Sequence, residues 1–166
     1  VGTYTVGAGD NSIDLTVSSF SIGTVTDSAG NAMTSNTLPA TNISTGSAIV
    51  IDTTAPTVTS FTSTKADGNY KSADTVNITA TVSEAVVSGN TITVILDTGD
   101  SILLTAAANG TTLVGTYNVG ASDTSSDLTV NSFSIGTVTD SAGNTMTSNT
   151  LPATNIATGS AIVITP

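Results

Sequence analysis

Wherever apolar and polar positions alternate along the chain, they do so with a period of two. In Thr75-Val-Asn-Ile-Thr-Ala-Thr-Val82, Val76, Ile78, Ala80 and Val82 fall on one side of a pleat, and Asn77, Thr79 and Thr81 on the other. That spacing predicts a strand with one buried face. Thr91–Leu96 repeats it with Ile92, Val94 and Leu96. Leu113–Val119 and Ser132–Thr139 read as further strands, and Ala161–Ile164 as a closing one. Turn chemistry separates these runs at Asp97-Thr-Gly-Asp100, at Asn109-Gly110 and at Asp140-Ser-Ala-Gly-Asn144, where Gly143 and Asn144 suit positive φ. Between Thr145 and Gly159 the alternation is weak and Pro152 intervenes, which predicts a loop or an edge strand.

A longer regularity organises the whole chain. Residues 1–51 align on residues 114–164, so that Val1 meets Val114 at a spacing of 113 residues. Only seven pairs differ: Thr5/Asn118, Gly9/Ser122, Asn11/Thr124, Ile13/Ser126, Ser18/Asn131, Ala32/Thr145 and Ser44/Ala157. A period near 100 residues is the length of one β-sandwich domain and exceeds the unit of a solenoid. The fold class that follows is all-β, an antiparallel β-sandwich in tandem modules. Residues 1–51 are then the C-terminal part of one repeat and residues 52–166 a complete repeat. The cut falls at Asp52-Thr-Thr-Ala-Pro56, where Pro56 and a polar run suit a short linker. On that division residues 1–51 lack the first strands of their own module, and an adjoining segment of the same fibre is expected to supply them.

Composition narrows the chemistry. Hydrophobic residues make up 38 % of the chain and charged ones 8 %, which argues against disorder. Thr and Ser beside Val and Ile favour strands. No apolar run reaches the length of a membrane span. The basic residues are Lys65 and Lys71 alone, and the net charge is −10. A phosphate backbone or an anionic membrane needs the opposite sign, so neither is an expected partner. There is no Cys and no His, hence no disulfide staple, no Ser–His–Asp or Cys–His system and no ordinary zinc site. Glu84 with Asp97 or Asp100 could form a carboxylate pair for glycoside hydrolysis, but acids in turns are ordinarily solvated, and the chain is not expected to be an enzyme.

The acids themselves point to a cation. Asp10 and Asp14 share one loop, repeated as Asp123 and Asp127. Asp27 and Asn31 share another, repeated as Asp140 and Asn144, and Asp52 stands in the linker. Calcium takes six to eight hard oxygens from such residues, from carbonyls and from water. In a sandwich the last hairpin loop and the incoming linker share a pole, which would gather Asp52, Asp140 and Asn144 at a seam between modules. Asp52 has Thr165 as its counterpart, so two successive seams would differ. The competing reading is that each Asp simply caps its own turn. Lys65 or Lys71 could likewise join an Asn or Asp in an isopeptide bond with Glu84 assisting, or serve only as a solvated charge.

IDTTAPTV, KADGNYKSADTVNITATVSEAV, VGTYNV, DLTV and VTDSAGN together resemble the Ig-like repeats of large bacterial surface adhesins and biofilm-associated proteins. The resemblance covers the whole chain. It implies an Ig-like fold, an extracellular location at the bacterial cell surface, and structural calcium at module junctions in some members. It also implies that the partners are neighbouring copies of the same repeat, in the same or an adjacent chain. Two functions follow. One is a structural module of a secreted fibre, sheath or adhesin stalk. The other is a ligand-binding adhesin module, for glycan or ice, using flat Thr-rich strand faces.

Overall fold

The computed structural model describes all residues from Val1 to Pro166, in two compact units, Val1–Thr54 and Ala55–Pro166. In chain order the elements are a four-residue helix α1 (Ile43–Gly46) in the first unit, then β1 (Val58–Thr62), β2 (Gly68–Tyr70), β3 (Thr75–Val86), β4 (Thr91–Leu96), β5 (Ser101–Thr105), β6 (Gly110–Asn118), β7 (Val130–Ile135), α2 (Ile156–Gly159) and β8 (Ile162–Ile164) in the second. No helix is long and apolar enough to cross a membrane.

The period-two runs become the centre of the second unit. β3 buries Val76, Ile78, Ala80, Val82 and Val86, and β4 buries Ile92, Val94 and Leu96. Each valine, isoleucine and leucine among them contributes about 1.5–3 kcal/mol when fully removed from water. Six strands form one sheet in the order β1-β3-β6-β5-β4-β7, with every pairing antiparallel. The sheet curls until its two edges meet. Phe61 of β1 packs edge-on against Phe133 of β7, with ring centroids 5.5 Å apart and planes at 68°. The unit is therefore all-β and nearly closed, with a single core, as an antiparallel sandwich requires.

Several local expectations change. β8 runs parallel to β2, with Gly68 opposite Ile162 and Tyr70 opposite Ile164, because the preceding crossover delivers it in the direction of β2. The Thr145–Gly159 crossover is not a plain loop. It contains α2, nucleated by a capping box in which Asn155 accepts from the Ile156 N–H and Thr158 Oγ1 accepts from the Asn155 N–H, and Ile156 is buried. β7 stops at Ile135 and not at Thr139. Beyond it the Gly136 N–H donates to the Thr91 carbonyl and the Thr91 N–H to the Thr137 carbonyl, so two residues face one in a bulge and the regular ladder ends; a Cβ on Gly136 would meet Thr91 Oγ1 at 2.5 Å. In the loop Asp140–Asn144 only Gly143 takes positive φ, at 94°; Asn144 instead binds Asp140.

The first unit reproduces the local shapes of residues 114–164. The bridges Ser12↔Ile51 and Thr26↔Ala32 match Ser125↔Ile164 and Thr139↔Thr145. The Asn42 capping box of α1 matches that of α2. Asn42 clamps the backbone of Val17 through both its N–H and its carbonyl, as Asn155 clamps Val130. The unit nonetheless contains no strand, since a strand needs a ladder partner.

Candidate functional site

β3 gives the second unit two ends, an upper one at Val86 and a lower one at Thr75. At the upper end Val86 bridges to Asp140, and Val87 donates its N–H to the Thr139 carbonyl. This seats the Asp140–Asn144 loop beside the last residues of β3. One carboxylate oxygen of Glu84 then lies within 4.8 Å of one from Asp140. Two unit charges at that separation repel by about 3.5 kcal/mol at an effective dielectric of about 20. A bound cation or a shared proton offsets such a pair.

Asp140 is only 4 % exposed. Its Oδ1 accepts from the Asn144 N–H at 2.8 Å and its Oδ2 from Asn144 Nδ2 at 2.7 Å. Burial pushes its carboxyl upward, but the hydrogen bonds from Asn144, Gly143 and Ala142 together outweigh that and hold it below the usual range. The residue is kept as an anion. In the first unit Asp27 does the same with Asn31 and the Ala29 N–H, each at 2.9 Å, and is likewise held low. Thr57, just ahead of β1, also sits at the upper end, where its carbonyl accepts from Ser83 and its N–H donates to Ser83 Oγ.

The lower end holds the other acids. Asp123 accepts the Tyr117 hydroxyl at 2.6 Å and the Gly120 N–H at 2.5 Å. The Tyr117 bond, then that of Gly120, keeps its carboxyl low. Asp127 shares the loop, but its Oδ1 is buried and accepts no hydrogen bond. Asp97 accepts from Ser125 Oγ at 2.6 Å and the Thr129 N–H at 3.1 Å, and Asp100 from Thr98 Oγ1 at 2.8 Å. In the first unit Asp10 copies Asp123, with Tyr4 at 2.5 Å and Gly7 at 2.7 Å. Asp14 accepts from the Ile49 N–H at 3.4 Å, and Asp52 from the Thr54 N–H at 3.0 Å.

Among the acids of the second unit, then, the structure pairs Asp140 with Glu84 and leaves Asp123 and Asp127 at the opposite end. Glu84 lies far from Asp97 and Asp100, and those three do not form a carboxylate pair. Lys65 stands 4.6 Å over the ring of Tyr70, and Lys71 donates its N–H to Asp74 just ahead of β3; both are at the lower end, away from Glu84, which removes the lysine–glutamate arrangement of an isopeptide bond. Glu84 is the residue that sequence reasoning weighed only for other chemistry. Its signal was its place two residues beyond Val82, in phase with the buried face of the longest alternating run.

The outward face of the sheet carries hydroxyls in register. Ser60, Thr81 and Thr112 lie side by side across β1, β3 and β6, with Thr62 and Thr79 in the next row and Asn77 opposite Thr116 below.

Comparison with protein-family models, with curated proteins and with solved structures returns no match.

Proposed function

We propose that this chain is a repeat module of a secreted bacterial surface fibre, sheath or adhesin stalk, of the Ig-like kind, whose task is to extend and not to catalyse. One observation carries the reading: a sequence repeating at 113 residues encodes a unit that its first strand enters at one end and its last strand leaves at the other. β1 begins opposite Val82 near the upper end, whereas β8 ends opposite Tyr70, just ahead of β3, at the lower end. Thr75 to Val82 spans about 23 Å at 3.3 Å per residue. A module that receives the chain at one pole and releases it at the other lengthens any array of copies by a fixed step.

Small-angle scattering from arrays of two, four and six copies of residues 55–166 tests this. Maximum dimension should grow in equal increments with copy number. Growth no faster than that of a compact globule would refute it.

Calcium fits the same reading at the upper end. Glu84 and Asp140 begin an oxygen set that backbone carbonyls and water would complete, and the ion would offset their repulsion. Thermal midpoints should rise with calcium over chelator, and Asp140→Asn with Glu84→Gln should abolish the rise. An equal midpoint in both conditions, with no metal by elemental analysis, would remove the ion from the account.

The hydroxyl rows favour a second reading, a binding face for glycan or ice. Thr81→Lys with Thr112→Lys should then abolish retention on a glycan array or inhibition of ice growth; no activity in the unaltered chain eliminates it.

A further inference from the structure

The first unit holds the residues of the second unit's C-terminal half in the same local shapes, yet its apolar side chains are bare. Val6, Val25 and Met33 are 47 %, 50 % and 44 % exposed, while their counterparts Val119, Val138 and Met146 are 3 %, 0 % and 2 % exposed. Tyr4, Val17, Ile43 and Ile49 are exposed where Tyr117, Val130, Ile156 and Ile162 are buried. Val17, Phe20, Met33, Leu38 and Ile43 line an open trough of about 720 Å³. Apolar patches of this extent mark interaction surfaces. In the second unit the same residues share one core with Val58, Phe61, Val76, Ile78, Ile92, Val94 and Leu104, which all come from residues 55–113.

Two glycines point to the same occupant. Gly115 and Gly136 have no room for a side chain. A Cβ on Gly115 would meet the Leu103 carbonyl oxygen at 2.5 Å and Leu104 Cδ2 at 2.6 Å, and one on Gly136 would meet Thr91 Oγ1 at 2.5 Å and the Thr91 carbonyl oxygen at 2.9 Å. Their counterparts Gly2 and Gly23 have nothing within 4 Å, and neither takes a positive φ. Neither space nor backbone asks for glycine at 2 and 23 in the first unit as it stands. A second Thr91 and a second Leu103–Leu104 laid over it would ask for both.

We infer that residues 1–54 are an acceptor half-module, and that their occupant is a second copy of the 55–113 stretch, seated as β1–β5 are seated on residues 114–164. The inference rests on the repeat-module reading and deepens it. Residues 1–166 hold two acceptor halves and one donor stretch, and that donor is engaged by residues 114–164. The second donor comes from another copy of the repeat.

The test is a chain in which residues 55–113 are duplicated directly ahead of Val1, so that each acceptor half has a donor. Amide hydrogen exchange is followed on peptides from 12–51 and, as an internal control of folding, from 125–164. In the original chain 12–51 should exchange much faster than 125–164. In the extended chain its protection should rise to match. Gly23→Val, or Gly2→Val, should erase that gain and leave 125–164 unaltered, while neither should change exchange in the original chain.

Three results would overturn the inference. The first is rapid exchange of 12–51 in the extended chain, alone or with loss at 125–164, since two donors beside two acceptors must fill both. The second is a gain in protection indifferent to both glycine variants. The third is protection of 12–51 in the original chain that tracks a concentration-dependent dimer in sedimentation, which would mean that two acceptor faces cover each other. Any of these leaves the length increments of a 55–166 array where they were, and irregular increments would leave the exchange result intact. The two readings therefore fail separately.

Discussion

Phe133 and Phe20 occupy the same place in the repeat, and truncating each to alanine should have very different effects. Phe133 is 4 % exposed and closes the sheet by meeting Phe61 edge-on. Phe→Ala in a packed core costs about 3–5 kcal/mol through lost burial and the cavity left behind. The aromatic pair accounts for about 0.5–1.5 kcal/mol of that. Domains of this size have total stabilities of about 5–15 kcal/mol, so Phe133→Ala should lower the melting midpoint by about 10–20 °C. Phe20 borders the open trough, with no counterpart of Phe61 against it. Phe20→Ala should move the main transition by less than about 0.5 kcal/mol. Urea titrations followed by far-UV circular dichroism give both values, provided that the slope m is unchanged between variants. Equal shifts for the two variants, or a loss below about 1 kcal/mol for Phe133→Ala, would refute the assignment of the core.

Asn155→Ala removes a helix cap and strands the Val130 N–H, which together should cost about 2–3 kcal/mol by urea midpoint; Asn155→Ser, which keeps the cap alone, should recover about half. Asp123 is held low by the Tyr117 hydroxyl and the Gly120 N–H, so its stabilising effect is present above its unfolded value of about 3.9 and is lost as pH falls through the lower folded value. The melting difference between the native chain and Tyr117→Phe should be flat from neutral pH to mild acid and shrink in strong acid, and a constant difference would contradict the assignment. Burial first, and the Asp123 bond second, push the Tyr117 hydroxyl well above its ordinary value. The native chain should therefore lose stability above about pH 10, where the unfolded chain ionises first, and Tyr117→Phe should lose less.

The long strands were legible because each buries a single face. β3 and β4 keep strict alternation, and Val76, Ile78, Ala80, Val82, Ile92, Val94 and Leu96 are all in the core. β1 escaped because its register shifts between Val58 and Ser60, which puts its two buried residues, Val58 and Phe61, three positions apart. β5 escaped because Leu103 and Leu104 are adjacent, one 58 % exposed and the other buried. β2 lies in a segment that reads as turns, and its partner β8 is distant in sequence, so only tertiary pairing reveals it. α2 is too short to show a helical period, although Asn155 and Thr158 carry its capping pattern. The proximity of Glu84 and Asp140 depends on the Val86 bridge, which no local pattern encodes. The loop of Asp140, by contrast, was found from turn chemistry alone, and that of Asp123 from its spacing to Asp127 and the repeat of both in Asp10 and Asp14.

Because β1 starts at one end of the second unit and β8 finishes at the other, a pull applied at Val58 and Ile164 acts along the strands. β1 is laced to β3 over Val58–Thr62, and β8 to β2 over Ile162–Ile164, reinforced by Thr165 donating to the Tyr70 carbonyl. Loaded this way, the bonds of each ladder share the force and must give together, as in a lap joint under shear, where a hairpin pulled apart from its open end would release them one by one. Mechanical toughness of the unit is thus set by how its terminal strands are oriented, separately from its thermodynamic stability.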